Sequence, residues 1–285
     1  ARLIMDVITP ASYVFWSSLA MLLTGVVTFI GCSYLAAPYG RYSTTSSKEW
    51  GILLPAQIAW MIMESPNLWI VLLVYFFRES LGSGSDSVPV IDNSPVNKLL
   101  LFCFFLHYTN RSIIYPLRMQ GSKCSPMPIS VMGAAFIFCA WNGTHQALSL
   151  ILVHSNKNVQ WTDVHLILGV ATFFLGLAIN IHSDSILISQ RSASSSKSKA
   201  ESSAGSKYVI PVGGMFEYVS CANYFGEIVE WWGFALACGG TLPAVAFAFY
   251  TMAYLTSRAI HYHKWYLDKF DDYPKSRKAL IPFLM

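Results

Sequence analysis

The chain has 285 residues, of which 54% are hydrophobic and only 12% are charged. Soluble globular proteins carry about 25% charged residues, so this composition excludes an ordinary soluble, disordered or fibrous protein and indicates a polytopic membrane protein. The formal net charge of +4 is too small to imply a nucleic-acid partner, and we predict none.

Seven apolar runs are long enough to cross a bilayer, which takes about 20 residues. They cover residues 11–36, 52–77, 96–117, 128–153, 164–188, 215–238 and 241–265. The first run is too long for a removable signal peptide, and we expect it to be an anchor. The sequence therefore predicts an all-α integral membrane protein, a bundle of about seven transmembrane helices that forms a single membrane domain over residues 1–285.

The positive charges alternate between successive connections. Lys and Arg are most frequent after the first, third, fifth and seventh runs, and cytoplasmic loops carry such an excess. We therefore predict a lumenal N-terminus and a cytoplasmic C-terminus. Residues 192–206 are almost entirely Ser, Ala, Lys and Gly, a composition that favours a flexible loop.

Two kinds of local motif carry little functional information. The six cysteines lack CxxC spacing and lie mostly in apolar runs, so we expect buried thiols and predict no metal site. Asn110-Arg-Ser112 and Asn142-Gly-Thr144 match the glycosylation pattern. Both lie in or beside predicted spans, so we expect neither to be modified.

Polar residues inside the predicted spans are the candidates for function, because a charge at the bilayer centre costs about 2.5–3.5 kcal/mol. Glu64 lies in the second run beside Pro66, which can open the helix; a carboxylate at a kinked helix end is the alternative. In the third run Tyr108, Arg111 and Tyr115 share one helical face. Aromatic anchoring at the membrane interface is the alternative for the two tyrosines.

The last three runs present further polar faces. Residues that recur at three or four positions share a face of a helix, and three such groups occur here: Asn180 with Asp184; Asn223 with Glu227 and Glu230; and Arg258 with Tyr262 and Tyr266. Such faces predict a pocket for an anionic, hydrogen-bonding molecule, since Arg fits phosphate. The alternative is a salt-bridged bundle that pairs Glu227 with Arg258.

No Rossmann, P-loop, GxSxG or HExxH motif is present in the sequence. A nucleotide would therefore bind without either of the two common nucleotide-binding domains.

Several long motifs resemble the steroid 5α-reductases, which are integral membrane oxidoreductases of the endoplasmic reticulum. The resemblance covers most of the chain and is carried by Pro38-Tyr-Gly-Arg-Tyr42, His107-Tyr108, Asn180-Ile-His-Ser-Asp184, the run from Pro211 to Ser220, Asn223-Tyr-Phe-Gly-Glu-Ile-Val-Glu-Trp231, His263-Lys-Trp-Tyr266 and the run from Asp272 to Phe283. It implies a seven-helix bundle around NADPH, and a 3-oxo-Δ4 steroid that enters among the N-terminal helices. Residues 1–127 would then form mainly the steroid side, and residues 128–285 mainly the NADPH side.

The resemblance also implies the reaction and the site residues. Hydride would pass from NADPH to carbon 5 of the steroid, with Glu64 and Tyr108 hydrogen-bonded to the 3-ketone. The expected cofactor-binding residues are Tyr39, Tyr115, Asn180, Asp184, Arg191, Asn223, Glu227, Arg258, Tyr262 and Tyr266. The sequence departs from the family at Met63, Met119 and Ile188, which bears on steroid choice and phosphate binding.

Other functions remain open at this point. NADH is an alternative cofactor, and a reductase of a polyprenol or an enoyl-CoA keeps the same architecture. An isoprenylcysteine methyltransferase-like enzyme would bind S-adenosylmethionine instead. A transporter would use the intramembrane carboxylates as a relay, but we see no internal repeat of the kind transporters show. The expected partners are the steroid and membrane lipid, with no obligate protein partner.

Overall fold

The computed structural model describes residues 9–35, 39–42, 49–82, 94–119, 124–200 and 208–285, with backbone alone for residues 41 and 193–200. These residues are mostly helical, and the pairing of two short strands is the one sheet among them. Strand β1 (Leu53–Leu54) runs antiparallel to β2 (Met127–Pro128). This pairing joins the chain segments that lead into the second and the seventh helix.

Helix α1 covers Pro10–Tyr34. The Thr9 side chain caps its start by accepting a hydrogen bond from the Ser12 backbone N–H at 3.2 Å, and Pro10 occupies the first turn, where a missing N–H is harmless. Its outer face is apolar, with Trp16 and Leu23 each 66% exposed. Such a face suits lipid, since large apolar patches are rare on soluble monomers.

Helices α2 (Ala56–Glu64) and α3 (Pro66–Phe76) are separated by Ser65, and the short helix α4 (Arg78–Gly82) follows. The break has a local cause, because Pro66 has no N–H to donate to the Ile62 carbonyl four residues earlier. The Ser65 hydroxyl donates to that carbonyl instead, at 2.9 Å. Glu64 therefore lies at the last turn of α2, beside the opening that Pro66 predicts.

Helix α5 (Pro95–Thr109) continues through a π-helical turn (Asn110–Ile114) into α6 (Tyr115–Arg118). Pro116 cannot donate to the carbonyl one turn earlier, and a widened turn accommodates that missing bond. Such π-helical turns occur frequently at functional sites. This one includes Arg111 and directly precedes Tyr115.

Helix α7 (Ile129–Leu148) ends in a second π-helical turn (Ser149–Val153), and α8 runs from Val164 to Ala200. Residues 192–200 are therefore helical, and our prediction of a loop that begins at 192 was wrong over this stretch. Alanine, lysine and serine are tolerated in a helix, and the propagation of an existing helix is easier than its nucleation. The remainder of the predicted loop, residues 201–206, lies outside the described residues.

A short 3₁₀ helix (Gly214–Glu217) precedes α9 (Ala222–Ala237), and α10 covers Leu242–Lys269. The sixth span was predicted to begin at 215, but the α-helix begins at Ala222. Gly239 and Gly240, with φ of 65° and 71°, make the tight reversal between α9 and α10, which favours glycine at both positions. The C-terminal segment then folds back, with the Ser220 N–H donating to the Lys278 carbonyl at 2.8 Å.

Helices α8 and α9 pack with their backbones in contact. A Cβ atom added at Gly176 would lie 2.2 Å from the Glu230 nitrogen, and one at Gly226 would lie 2.5 Å from the Asn180 nitrogen. No side chain larger than hydrogen fits at either position without a shift of the helices. This contact fixes the carboxylates of α9 next to the polar face of α8.

Four helical segments of the described chain are long and apolar enough to cross a membrane: Pro10–Tyr34, Ala56–Phe76, Ile129–Val153 and Val164–Ser192. Helix α9, with 16 residues, is shorter than the usual span of about 20. These findings agree with an all-α, multi-pass membrane protein. The count of seven spans and the orientation of the termini stay predictions.

Candidate active site

A cavity of about 640 Å³ lies inside the helix bundle, within the range of roughly 300–1,000 Å³ found for small-molecule sites. Helices α1, α2, α5, α7, α8, α9 and α10 all contribute to its wall. The predicted site residues that line it are Tyr39, Glu64, Tyr108, Tyr115, Arg191, Asn223, Glu227, Arg258 and Tyr262. Asn180, Asp184 and Tyr266 are not part of this lining.

Glu64 and Tyr108 are each held by a polar side chain of α7. The Cys139 thiol donates to Glu64 Oε2 at 3.4 Å, and the Asn142 amide donates to the Tyr108 hydroxyl at 3.2 Å. Phe104 packs against the Tyr108 ring with the centroids 4.7 Å apart. Both side chains therefore face the cavity in orientations that the protein itself fixes.

Arg111 forms an arginine–carboxylate cluster with Asp184 and Glu227. Its Nη1 lies 3.2 Å from Asp184 Oδ2, and its Nη2 lies 3.8 Å from Glu227 Oε2. The guanidinium carbon also lies 4.5 Å from the Trp60 ring centroid and 5.1 Å from that of Tyr115. Two carboxylates and two ring faces thus compensate one buried cation, and Glu227 pairs with Arg111 and not with Arg258.

Asn180 and Asp184 lie behind the cavity wall and support Asn223. Asn223 Nδ2 donates to Asp184 Oδ1 at 3.0 Å, while Asn180 Nδ2 donates to the Asn223 backbone carbonyl at 2.9 Å. These bonds cross the interface where Gly176 and Gly226 allow the two backbones to touch. Their effect is to hold Asn223 at the cavity wall.

His107 and Glu230 form a second buried pair, with Nδ1 and Oε1 2.8 Å apart. His107 lines the cavity beside Tyr108, whereas Glu230 is fully buried behind it. The Trp231 ring covers the imidazole edge, with the centroids 4.6 Å apart. His107 and Glu230 thus satisfy each other's hydrogen bonding where the surrounding side chains are apolar.

A tyrosine cage, made of Tyr39, Tyr224, Tyr254 and Tyr262, surrounds Arg258. The guanidinium carbon lies 4.1 Å from the Tyr39 centroid and 5.0 Å from that of Tyr262. Arg258 also donates to the hydroxyls of Tyr224, at 3.3 Å, and of Tyr262. The cage closes through a bond of 2.9 Å between the Tyr39 and Tyr254 hydroxyls.

Arg258 has no carboxylate within 4.0 Å among the described residues, although it is only 5% exposed. Cation–π contacts with tyrosine rings offset part of the desolvation of such a charge. Burial raises the pKa of Tyr39 well above its ordinary value, and Arg258 acts in the opposite direction. The cage therefore presents a positive charge and hydroxyl groups to the cavity, which suits an anion.

Arg191 and Tyr266 differ in their placement. Arg191 extends from α8 to the cavity, where its Nη1 lies 3.7 Å from Cys124 Sγ. Tyr266 is buried and stacks on Tyr273, with the centroids 5.0 Å apart. A four-residue stripe drifts around an α-helix, and the eight residues from Arg258 to Tyr266 amount to a rotation of about 80°, which turns Tyr266 away from the cavity.

Arg111 was named as a candidate from the sequence, but not as the partner of Asp184 and Glu227. Four other lining or supporting residues were missed, namely Cys139, Asn142, Tyr224 and Tyr254. Tyr254 lies four residues before Arg258 and extends the stripe that was identified. Asn142 carried a usable signal as well, because an amide inside an apolar span is costly unless it has a partner. Our sequence-based prediction treats it only as part of a glycosylation pattern.

Comparison with known proteins identifies the family. The sequence model for "3-oxo-5-alpha-steroid 4-dehydrogenase" matches residues 125–285. The chain is 40% identical over 264 residues to 3-oxo-5-alpha-steroid 4-dehydrogenase 1 of Bos taurus, covering 92% of this chain and 93% of the relative. It is also 40% identical over 263 residues to the protein of the same name from Homo sapiens, covering 90% and 91%.

A plant relative extends the comparison. The chain is 38% identical over 259 residues to the steroid 5-alpha-reductase DET2 of Solanum lycopersicum, covering 90% of this chain and 91% of the relative. The matches span nearly the whole chain and agree with the resemblance that the sequence motifs carry. The chain therefore belongs to the steroid 5α-reductase family of oxidoreductases.

Proposed function

We propose that this protein uses NADPH to reduce the Δ4 double bond of 3-oxo-Δ4 steroids, giving 5α-reduced 3-oxo steroids. The observation that carries the proposal is that one cavity is lined both by Glu64 with Tyr108 and by the tyrosine cage around Arg258. A carbonyl compound and a phosphorylated cofactor can then meet in a single enclosed space. The family relationship supports the same reaction class.

Tyr108 and Glu64 polarise the 3-ketone in this proposal. When bound, NADPH would supply a hydride for carbon 5, and negative charge would develop on the ketone oxygen, as in an enolate. A proton taken up from solvent at carbon 4 would then complete the reduction and restore the ketone. Hydrogen-bond donors aimed at that oxygen stabilise the charge. The Tyr108 hydroxyl is one donor, and Glu64 is the second group that hydrogen-bonds to the ketone, with its Oε2 held by the Cys139 thiol.

The residues of the cavity fit NADPH in charge and in hydrogen bonding. Arg258 offers a phosphate a buried cation with no carboxylate within 4.0 Å among the described residues, and Arg191 adds a second guanidinium to the cavity wall. Asn223 and Glu227 offer groups for ribose hydroxyls or the amide, while Tyr39, Tyr115 and Tyr262 supply ring faces and hydroxyls. Asn180 and Asp184 act through Asn223 and Arg111, and Tyr266 supports the same end of α10 through Tyr273.

We further propose that the protein resides in the endoplasmic reticulum membrane, with seven spans, a lumenal N-terminus and a cytoplasmic C-terminus. The apolar outer faces of the helices support a multi-pass arrangement. A steroid substrate partitions into the same bilayer, which places it beside the cavity.

The test is an assay of the purified protein in detergent with NADPH and testosterone, followed by mass spectrometry of the steroid. We expect a 5α-reduced product and matching NADPH oxidation. Parallel samples with a polyprenol and an enoyl-CoA test the related reductases. Reduction of one of those lipids without reduction of testosterone would reject the steroid assignment.

The variant Tyr108→Phe tests whether steroid reduction takes place in this cavity. Tyr108→Phe removes the donor to the ketone and should lower kcat about 100-fold or more, with NADPH affinity unchanged. Tyr34→Phe is the matched control, because it removes a hydroxyl that is exposed at the end of α1. Equal kcat values for wild type and Tyr108→Phe would remove Tyr108 from the mechanism.

A further inference from the structure

Three buried amide side chains lie behind Tyr108 and take no part in lining the cavity: Asn67 on α3, and Asn142 and Gln146 on α7. Asn67 and Asn142 are fully buried, and Gln146 is 1% exposed. Polar side chains within membrane helices are costly, and each is a functional candidate by default. These three are connected to one another and to the hydroxyl proposed to bind the substrate.

A backbone carbonyl at one end of this chain of amides determines which amide atoms donate and which accept. The Pro243 carbonyl can only accept, so the Gln146 amide turns its nitrogen towards it, at 3.0 Å. The same nitrogen lies 3.5 Å from Asn142 Oδ1. The Asn142 oxygen therefore faces Gln146, and the Asn142 nitrogen faces the other way.

At the other end, Asn142 Nδ2 donates to the Tyr108 hydroxyl at 3.2 Å and approaches Asn67 Oδ1 at 3.4 Å. The Asn67 oxygen favours the same amide orientation, because it accepts and cannot donate. Close packing holds these groups together, since a Cβ atom added at Gly143 would lie 3.1 Å from the Asn67 Cα. The Pro243 carbonyl thus sets the orientation of Asn142 through Gln146, and the contact with Asn67 agrees with it.

We propose that Asn142 and Gln146 are positioning residues that make Tyr108 a one-way hydrogen-bond donor. An amide nitrogen offers no lone pair to Tyr108, so the phenol accepts from Asn142 and its own proton remains available to the substrate oxygen. A hydroxyl without this constraint could donate to a protein acceptor instead and lose its effect on the ketone. The inference rests on the proposed function, in which Tyr108 binds that ketone.

The experiment is a double-mutant cycle on steroid reduction. Asn142→Leu removes the amide at similar size, and Gln146→Met removes the group that orients it from outside the cavity. We expect Asn142→Leu to lower kcat about tenfold, because the donor remains but is misdirected, and Gln146→Met to have a smaller effect. In a Tyr108→Phe background neither change should lower kcat further, since no hydroxyl remains to be directed.

The matched control is Thr144→Val on the same helix, whose hydroxyl bonds only back to the Ala140 carbonyl at 2.8 Å among the contacts described. It should leave kcat unchanged in both backgrounds. NADPH affinity and melting temperature, measured for every variant, detect a general structural loss. If Asn142→Leu does not fold, Gln146→Met carries the same test.

The outcomes separate the two proposals. If wild-type protein reduces testosterone but the Asn142 and Tyr108 effects multiply, the positioning role is wrong and the steroid reductase stands. An unchanged kcat in both Asn142→Leu and Gln146→Met would reject the positioning role as well. If the wild-type protein does not reduce the steroid, the proposed function fails and the inference fails with it.

Discussion

Two of the three arginines that line the cavity, Arg111 and Arg258, are buried, but their surroundings differ. Arg111 lies between Asp184 and Glu227 in the arginine–carboxylate cluster. Arg258 lies in the tyrosine cage with no carboxylate within 4.0 Å among the described residues. The first cation is compensated by carboxylates of the protein, whereas the second is surrounded by neutral rings and hydroxyls, and we propose that a phosphate of the cofactor compensates it.

The same residue type therefore has two different environments in one cavity, and we expect two different roles. A buried ion pair is costly to break from one side, because the partner charge then remains buried and alone. A buried cation without an ionic partner can be removed at much lower cost to the fold. Arg111 is therefore expected to matter for stability, and Arg258 for binding.

The largest effect is expected for Arg111→Met. The substitution leaves Asp184 and Glu227 without their shared cation, and we expect a loss of about 3–5 kcal/mol in the free energy of unfolding. A thermal melt in detergent measures the change as a lower melting temperature. A wild-type melting temperature would contradict the stabilising role of this cluster.

Arg258→Met is expected to give the converse result. NADPH affinity should fall about 10- to 100-fold, as expected for the loss of a charge-assisted phosphate contact of about 1.5–3 kcal/mol. The melting temperature without cofactor should fall less than in Arg111→Met, since no carboxylate loses its partner, although the bonds to the Tyr224 and Tyr262 hydroxyls are lost. Titration with NADPH followed by tryptophan fluorescence measures the affinity, and an unchanged value would show that the cage does not bind the cofactor.

The smallest effect is expected for Tyr39→Phe. This change removes the bond of 2.9 Å to the Tyr254 hydroxyl but keeps the ring 4.1 Å from Arg258. We expect a stability loss of about 0.5–1.5 kcal/mol and a change in NADPH affinity within about twofold. Tyr39→Leu, which removes the ring as well, sharpens the comparison: equal effects of the two variants would mean that cation–π contact contributes nothing to the cage.

The sequence predicted the parts of the fold that depend on local chemistry. Apolar length located the helices, and Pro66 located the break beside Glu64. The polar stripes of α8, α9 and α10 were identified from periodicity. The family resemblance was confirmed by the comparisons.

The features that depend on tertiary contacts were not predictable in this way. Periodicity indicates which residues share a face of one helix but not which helix lies opposite that face. The sequence therefore offered a salt bridge between Glu227 and Arg258 as an alternative, whereas in the structure Glu227 pairs with Arg111. Residues four apart shift gradually around the axis of α10, so Tyr266 points away from the cavity that Arg258 lines. Asn142 was overlooked because its role follows from Gln146 and Pro243, which only the packing of α7 against α10 brings together.

The backbone contact between α8 and α9 has a consequence for motion. Two helices that touch through Gly176 and Gly226 cannot slide past each other by part of a turn without a collision of backbone atoms. This contact therefore opposes sliding of α8 against α9 and holds Asn223 and Glu227 in place relative to Asn180. We expect any widening of the cavity that admits or releases a ligand to come from the walls that other helices form.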